Sequence, residues 1–347
     1  MSSKVLLKVS DLCTDFDTEY GRLTAVDEVS FLVRENEIVG LVGESGCGKS
    51  VTAETIMRLH DERTTSYRGT IEFDGRDILA VSEPKMREIR GGGLGMIFQD
   101  PMNSLNPVFT VGNQLVEATR THRKCSRREA REQSIALLRS TGIPSPEVRM
   151  GEYPHQLSGG MKQRVMIAMA LSSNPTLLIA DEPTTALDVT TQAQILDLIE
   201  KQRDEHGLGA ILITHDLGVV AELCDRVVVM YLGQIVEEGT VSEVFDSPKH
   251  PYTRGLLEST PSLDADPDEK LSVIPGRVPT LSSIPSGCRF ANRCRWATAT
   301  CSEQRIPLVE TGPGRVARCI RIEEIAQSEN DLAKKSGISG GGPPNEH

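Results

Sequence analysis

The run GESGCGKS, Gly43 to Ser50, fits G-x-x-x-x-G-K-[ST] at every fixed position, the spacing that lets a backbone wrap a phosphate. Glycines allow successive N–H groups to turn inward on an anion, and a helix starting near Lys49 adds its positive end. Lys49 supplies a mobile charge for the outer phosphates, and the Ser50 hydroxyl suits Mg²⁺. The candidate nucleotide contacts are therefore Gly43, Glu44, Ser45, Gly46, Cys47, Gly48, Lys49, Ser50 and Val51. Cys47 occupies a variable position and reads as packing. Further on, the apolar run TLLIADEP ends in two acids. Asp181 is placed to hold Mg²⁺, and Glu182, just beyond, to orient and activate an attacking water as general base. Such a pair alone could cap the next helix; downstream of a phosphate loop it reads as the second half of one hydrolytic site.

A second cluster is built of thiols. Cys288, Cys294, Cys301 and Cys319 are spaced C-x5-C-x6-C-x17-C, while Cys13, Cys47, Cys125 and Cys224 are scattered. Close C-x2-C or C-x4-C pairs, usual for zinc, are missing. Wide, irregular spacing suits a cluster that takes one thiolate from each of several turns, so an iron-sulfur cluster is expected, with zinc and plain buried or disulfide-capable thiols as open alternatives. Arg289, Arg293, Arg295 and Arg318 could offset the charge of a thiolate-bound cluster.

Positioning these groups requires strands that end at the acids and at the phosphate loop. EIVGLVG, then the glycine loop, then VTAETIMRL reads as strand, loop and helix. Before it, VLLKVSDL and AVDEVSFLV are strand-like, as are GTIEFDG and LGMIFQD after it. QLVEATRTHRK, REQSIALLRST and KQRVMIAMALSS carry helical periodicity, so residues from about 100 to 172 form a helical subdomain. TLLIADEP and GAILITHD, separated by QAQILDLIEKQRDE, restore the β-α alternation of a largely parallel sheet. VVVMYLGQIVEEG reads as a hairpin, with SEVFDS and HPYTRGLL as short helices. The expected division is 1–255 as the nucleotide-binding domain, 256–327 as a cysteine-bearing extension, and 328–347 as a disordered glycine- and proline-rich tail. The chain has 347 residues and net charge -11, which gives no footprint for nucleic acid. No stretch approaches the ~18 apolar residues of a membrane span, and no secretory signal is expected at the N-terminus.

Between the phosphate motifs stands LSGGMKQR, Leu157 to Arg164, which resembles the signature motif of ATP-binding cassette (ABC) subunits. The resemblance covers roughly residues 4 to 320 and departs at RENE, 34–37, where the family often has a glycine. It implies an α/β P-loop NTPase of the ABC ATPase type, a RecA-like core with an antiparallel β subdomain and an α-helical subdomain. It implies ATP and Mg²⁺ as ligands, with two cassettes head to tail. Ser158, Gly159 and Gly160 then grip the partner's ATP, and Ala186, Leu187 and Asp188 form the loop crossing the interface. Gln99 resembles the glutamine that senses Mg²⁺ and the attacking water, and His215 the histidine that contacts the γ-phosphate and orients Glu182. Tyr20, with Phe16 as competitor, stands where an aromatic stacks on adenine.

The phrases SLNPVFTVG, ADEPTTALDV, HPYTRGLL and the tail from IPGRVPT through the cysteines are similar to oligopeptide and dipeptide importer ATPases. That branch includes members with a four-iron four-sulfur (4Fe-4S) cluster at such cysteines. The resemblance implies peripheral location at the cytoplasmic face of the cell membrane, pairing with a second, non-identical ATPase, two permease subunits and an extracytoplasmic solute-binding protein. The segment DPMNSLNPVFT after Gln99 is the expected permease socket. Nickel or oligosaccharide import, and a soluble ATP-driven switch as a different class, remain as alternatives.

Overall fold

The structure, a computed structural model, describes residues 3–19, 21–100, 104–185, 187–260 and 273–327. Two long strands, β1 (Val5–Thr18) and β2 (Gly21–Arg34), pair antiparallel, and β4 (Thr65–Phe73) and β5 (Arg76–Asp77) complete a four-stranded sheet ordered β2-β1-β4-β5. The pairing is offset by bulges near Asp11 and Glu28, both at positive φ; each bulge inserts a residue and bends the strand. The inward residues Leu7, Val9, Leu12, Val29, Phe31 and Ile71 then share one core with the central sheet.

That central sheet starts from β3 (Ile38–Val42), five residues all buried. A continuous apolar run of this length suits a strand covered on both faces. It is flanked in parallel by β8 (Gly209–Ile213) and β9 (Arg226–Tyr231), and β7 (Leu177–Asp181) and β6 (Leu94–Ile97) continue beyond β8. On the other side β9 turns back into β10 (Gln234–Thr240), followed by β12 (Arg315–Ala317) and β11 (Val309–Gly312), all antiparallel. The full order is β11-β12-β10-β9-β3-β8-β7-β6. Strands β3, β6, β7 and β8 run in one direction, so the phosphate loop, Gln99, Asp181 and His215 all emerge along one sheet edge, where open α/β sheets bind ligands.

The helical lobe comprises Val111–His122, Arg127–Ser140 and Gly159–Leu171. Thr110 caps the first helix, accepting from Asn113 N–H at 3.2 Å, and Ser126 with Glu129 makes a reciprocal capping box on the second. Val111, Leu115, Leu138, Met150 and Val165 form this lobe's own core. Sequence periodicity located all three helices; it missed Glu83–Ile89, whose seven residues are too short to show a repeat.

The segment 273–327 is threaded into the main sheet through β12 instead of standing apart. Arg315 on β12 lies 3.0 Å from Glu237 on β10, and Glu237, fully buried, also accepts from the backbone N–H groups of Lys249 and His250 at 2.7 and 2.8 Å. Removing one partner of such a buried pair costs about 3–5 kcal/mol, so this ion pair fastens the segment to the core. The expected tail 328–347 lies outside the described residues.

Candidate nucleotide-hydrolysis site

The phosphate loop leaves β3 and runs into the helix Lys49–Ile56. Gly48 caps that helix at φ +102°, and a Cβ there would come within 2.9 Å of the Ala25 carbonyl oxygen. Only glycine takes this backbone without strain. Gly46, at φ +78°, has nothing within 4 Å of the space a Cβ would fill, so the loop is open at this point. Lys49 is buried, and its Nζ donates to the carbonyls of Gly43 and Glu44 at 2.8 and 3.1 Å. The ammonium is thus folded back on the loop it would leave for a phosphate. Cys47 is buried in the core with its thiol pushed up, chiefly by burial, in line with packing.

Asp181 ends β7, and Glu182 follows at φ +48°, its N–H bonded to the Ile213 carbonyl at 2.9 Å. Asp181 is 3% exposed, and its Oδ1 has no hydrogen-bond partner. Burial raises its carboxyl above the ordinary range; the Ser50 hydroxyl works the other way and the Glu182 charge reinforces the rise. A buried, unpartnered carboxylate oxygen beside a serine hydroxyl is the donor set a hard divalent cation takes. The residues present therefore fit Mg²⁺.

Glu182 has the opposite character. Burial pushes its carboxyl up, but hydrogen bonds from Thr185, Gln99 and His215 outweigh this and hold it below the ordinary value. Thr185 Oγ1 donates to its Oε2 at 3.0 Å, and His215 Nδ1 stands 3.5 Å from its Oε1. An ionised carboxylate aimed by a glutamine and a histidine can take a hydrogen bond from a water and orient it for in-line attack. Ser50, Gln99 and Asp181 line a cavity of about 430 Å³.

Ser158 caps the signature helix, accepting from Met161 N–H at 3.3 Å. Ser158 and Gly159 are exposed, and nothing lies within 4 Å of a Cβ built on Gly159, so this helix end is open to an external anion. From the same helix, Arg164 bonds Thr191 Oγ1 at 2.5 Å, and Thr191 Oγ1 bonds Asp188 at 2.8 Å. Gln163 donates to the carbonyl of Pro183, next to Glu182. Asp188 thus connects through Thr191 to the signature helix while capping Val189–His206, and Gln163 ties that helix to the segment after Glu182. Tyr20 and Ala186 lie outside the described residues. Phe16 meets His60 edge to face at 5.1 Å.

The four clustered cysteines do converge: Cys288, Cys294, Cys301 and Cys319 line one cavity with His250 and Phe290. All eight cysteines are free thiols. The cavity measures about 20 Å³, room for roughly one water, and among the described residues no group of three or more His, Cys, Asp or Glu stands in metal-holding arrangement. The iron-sulfur cluster expected from the spacing, with four irons implied by the family resemblance, is not supported by a cavity of this size. The arginines expected to balance it are committed elsewhere: Arg289 to Asp27 and the Leu232 carbonyl, Arg293 to Glu44, Arg295 to Glu258 at 3.0 Å, and Arg318 to the carbonyls of Ile235 and Ile306 at 2.8 and 2.9 Å. Spacing reported that the thiols could meet but not how much room they leave.

Sequence reasoning gave Tyr252 no part in the site and cast Arg293 only as charge balance for a cluster. The Tyr252 hydroxyl accepts from Glu44 N–H at 2.7 Å, 208 residues away in sequence; no local pattern carries such a contact.

Comparisons with known proteins identify the family and the fold. The family model described as ABC transporter matches residues 26–185, and the oligopeptide/dipeptide transporter C-terminal region matches 236–301. A Brucella melitensis protein, named as a candidate peptide import ATP-binding protein, is 52% identical over 94% of this chain and 100% of its own length. A Brucella abortus protein of the same description is 50% identical over 90% of this chain and 94% of its own. Among solved structures, the ATP-binding cassette MJ0796, a dimer bound to ADP and phosphate, superposes with TM-score 0.63 at 26% identity, covering 68% of this chain and 99% of that one. The cbiO1 subunit from Clostridium perfringens, part of the ABC transporter complex cbiONQ, gives TM-score 0.58 at 31% identity over 70% of this chain and 91% of that one.

Proposed function

This chain belongs to the ABC transporter family, and we propose that it is the ATP-hydrolysing subunit that drives import of di- and oligopeptides through membrane permeases. The observation that carries the catalytic part is the pair of acids. Asp181 presents an orphaned buried oxygen beside Ser50, and Glu182 stays ionised under Gln99 and His215. In this reading Gly43 to Val51 bind the phosphates, Lys49 moves from the loop carbonyls to the anion, and Ser50, Gln99 and Asp181 hold Mg²⁺. When bound, Mg²⁺ neutralises charge that develops on the phosphate oxygens. Glu182 orients the water, and His215 holds Glu182.

The peptide assignment rests on the match of residues 236–301 to the peptide transporter region and on the names of the Brucella relatives. Ser158, Gly159 and Gly160 serve a second cassette's nucleotide, with Asp188 at the interface. The exposed signature helix end and the dimeric state of MJ0796 support this. The second cassette is a non-identical chain, and an extracytoplasmic binding protein delivers the solute. Permease docking has support in a cavity of about 530 Å³ between core and helical lobe, lined by Met57, Phe98, Phe109, Met166 and Met169. Phe109 and Val108 beside it are 50% and 69% exposed. No helix among the described residues is long and apolar enough to cross a membrane, which suits a peripheral subunit on the cytoplasmic face.

For residues 256–327 the proposal is a regulatory extension whose thiol cavity takes a metal group only by opening. Anaerobic preparation with iron supplied tests this: a brown, iron-bearing protein restores the 4Fe-4S cluster, and a colourless one with stoichiometric zinc selects the single ion. The function is tested by uptake in vesicles carrying the reconstituted complex. Labelled di- and oligopeptides should accumulate with ATP; uptake of nickel or an oligosaccharide instead would reassign the cargo.

A further inference from the structure

Glu44, the second residue of the phosphate loop, is held from two sides by residues outside the nucleotide core. Its carboxylate takes a two-pronged ion pair from Arg293, Nη1 to Oε2 at 2.6 Å and Nη2 to Oε1 at 2.9 Å. Its backbone N–H is taken by the Tyr252 hydroxyl at 2.7 Å. Neither partner is a surface group. The Arg293 side chain is 5% exposed and Tyr252 is fully buried.

Arg293 is itself locked. Its Nε donates to the Pro275 carbonyl at 2.9 Å, and its guanidinium lies 5.8 and 5.9 Å from the ring centres of Tyr231 and Phe290. Tyr231, Tyr252 and Phe290 pack ring against ring at 4.7 to 5.4 Å. Phe290 and the thiol cavity share a wall, and Arg293 immediately precedes Cys294. A single turn, Ala291–Arg293, thus joins the cysteine lobe to the phosphate loop by one rigid side chain.

We infer that Arg293 is a positioning residue for the nucleotide: acting through Glu44, it fixes the phosphate loop in the conformation that binds ATP, and thereby makes ATP affinity depend on the cysteine lobe. The inference deepens the proposed function and rests on the reading of Gly43 to Ser50 as the ATP site. A two-pronged charge-assisted pair sets direction as well as distance, which a loop of glycines cannot set for itself. With Glu44 fixed, Lys49, five residues on, starts from a defined place against the Gly43 and Glu44 carbonyls. Releasing Glu44 lets the loop sample conformations that do not bind, and apparent affinity falls by the fraction lost.

The test is equilibrium binding of a fluorescent ATP analogue, with steady-state hydrolysis, on the full chain. Arg293→Met and Glu44→Gln should each raise Kd and KM by about 5–30-fold, with kcat falling far less. The double variant should be no worse than the worse single, because both remove one clamp. Arg293→Lys, which keeps charge but loses the fork, should fall between. A Kd within twofold of the parent in Glu44→Gln, or additive losses in the double variant, would overturn the inference, even if melting temperature drops. If Arg293→Met does not fold, Glu44→Gln and Arg293→Lys decide the matter. Lys49→Ala separates the two readings: if it binds as tightly as the parent, the ATP site itself is misread and the inference goes with it.

Discussion

His250 offers a titration whose sign and size can be worked out. It is 1% exposed, caps the helix Pro251–Glu258, and its Nδ1 accepts from Tyr252 N–H at 3.0 Å. The groups around it are the Arg318 guanidinium, the Glu237 carboxylate on its backbone N–H, the Phe290 ring at 5.9 Å and the thiols of the shared cavity. Burial first, and the Arg318 charge second, push its pKa from 6.5 down to about 3. The unfolded chain therefore binds a proton below pH 6.5 that the folded chain refuses. Stability is full above the unfolded value and is lost as pH falls toward the folded one, at ~1.36 kcal/mol per pH unit. At pH 5, one and a half units below 6.5, the loss from this one group is about 2 kcal/mol. The assay is urea unfolding at pH 7.5, 6.5, 5.5 and 5.0 for the parent and for His250→Asn. Asparagine is a favoured cap that keeps an acceptor for Tyr252 N–H and cannot titrate. Its smaller volume costs a constant amount at every pH. The difference between the two proteins should thus shrink by about 2 kcal/mol between pH 7.5 and 5.0. Parallel stability curves would refute the reasoning and mean that His250 takes up its proton without unfolding.

Glu182→Gln should leave nucleotide binding intact and cut hydrolysis by about 10²–10⁴-fold, read as phosphate release, because the amide keeps the hydrogen-bond frame but is no base. Turnover within tenfold of the parent would remove Glu182 from that role. Asp181→Asn should weaken the Mg²⁺ requirement's apparent affinity at least tenfold in a metal titration of hydrolysis, since the orphaned Oδ1 loses its charge. Burial raises the Asp181 carboxyl while hydrogen bonds hold Glu182 down, so infrared titration of the carboxyl bands in the metal-free protein should find Asp181 above and Glu182 below its ordinary value.

What the sequence made legible follows from distance along the chain. The phosphate loop, the acids ending β7 and the signature helix are local patterns: a few adjacent residues specify strand, turn and cap, and the side chains face where those elements send them. The helices with full amphipathic repeats were legible for the same reason. Contacts that join separate lobes had no such signal. Nothing local distinguishes Arg293, paired with Glu44 across 249 residues, from Arg295, which reaches Glu258 and lies 3.9 Å over Trp296. Both were equally plausible as charge balance for a cluster. The cysteines show the intermediate case, since turn-rich spacing brought four thiols to one cavity but packing of Phe290, Ile306 and Trp296 around them set its size. The thiols pay a desolvation cost there: burial lifts Cys319 to about 11 and raises Cys288 and Cys294 as well. These three raised thiols hold their protons, so any metal that enters must displace those protons and move the walls. Since Arg293 immediately precedes Cys294 on that wall, such a movement would reach Glu44, and the contact that local pattern left unassigned is the one that couples the two sites.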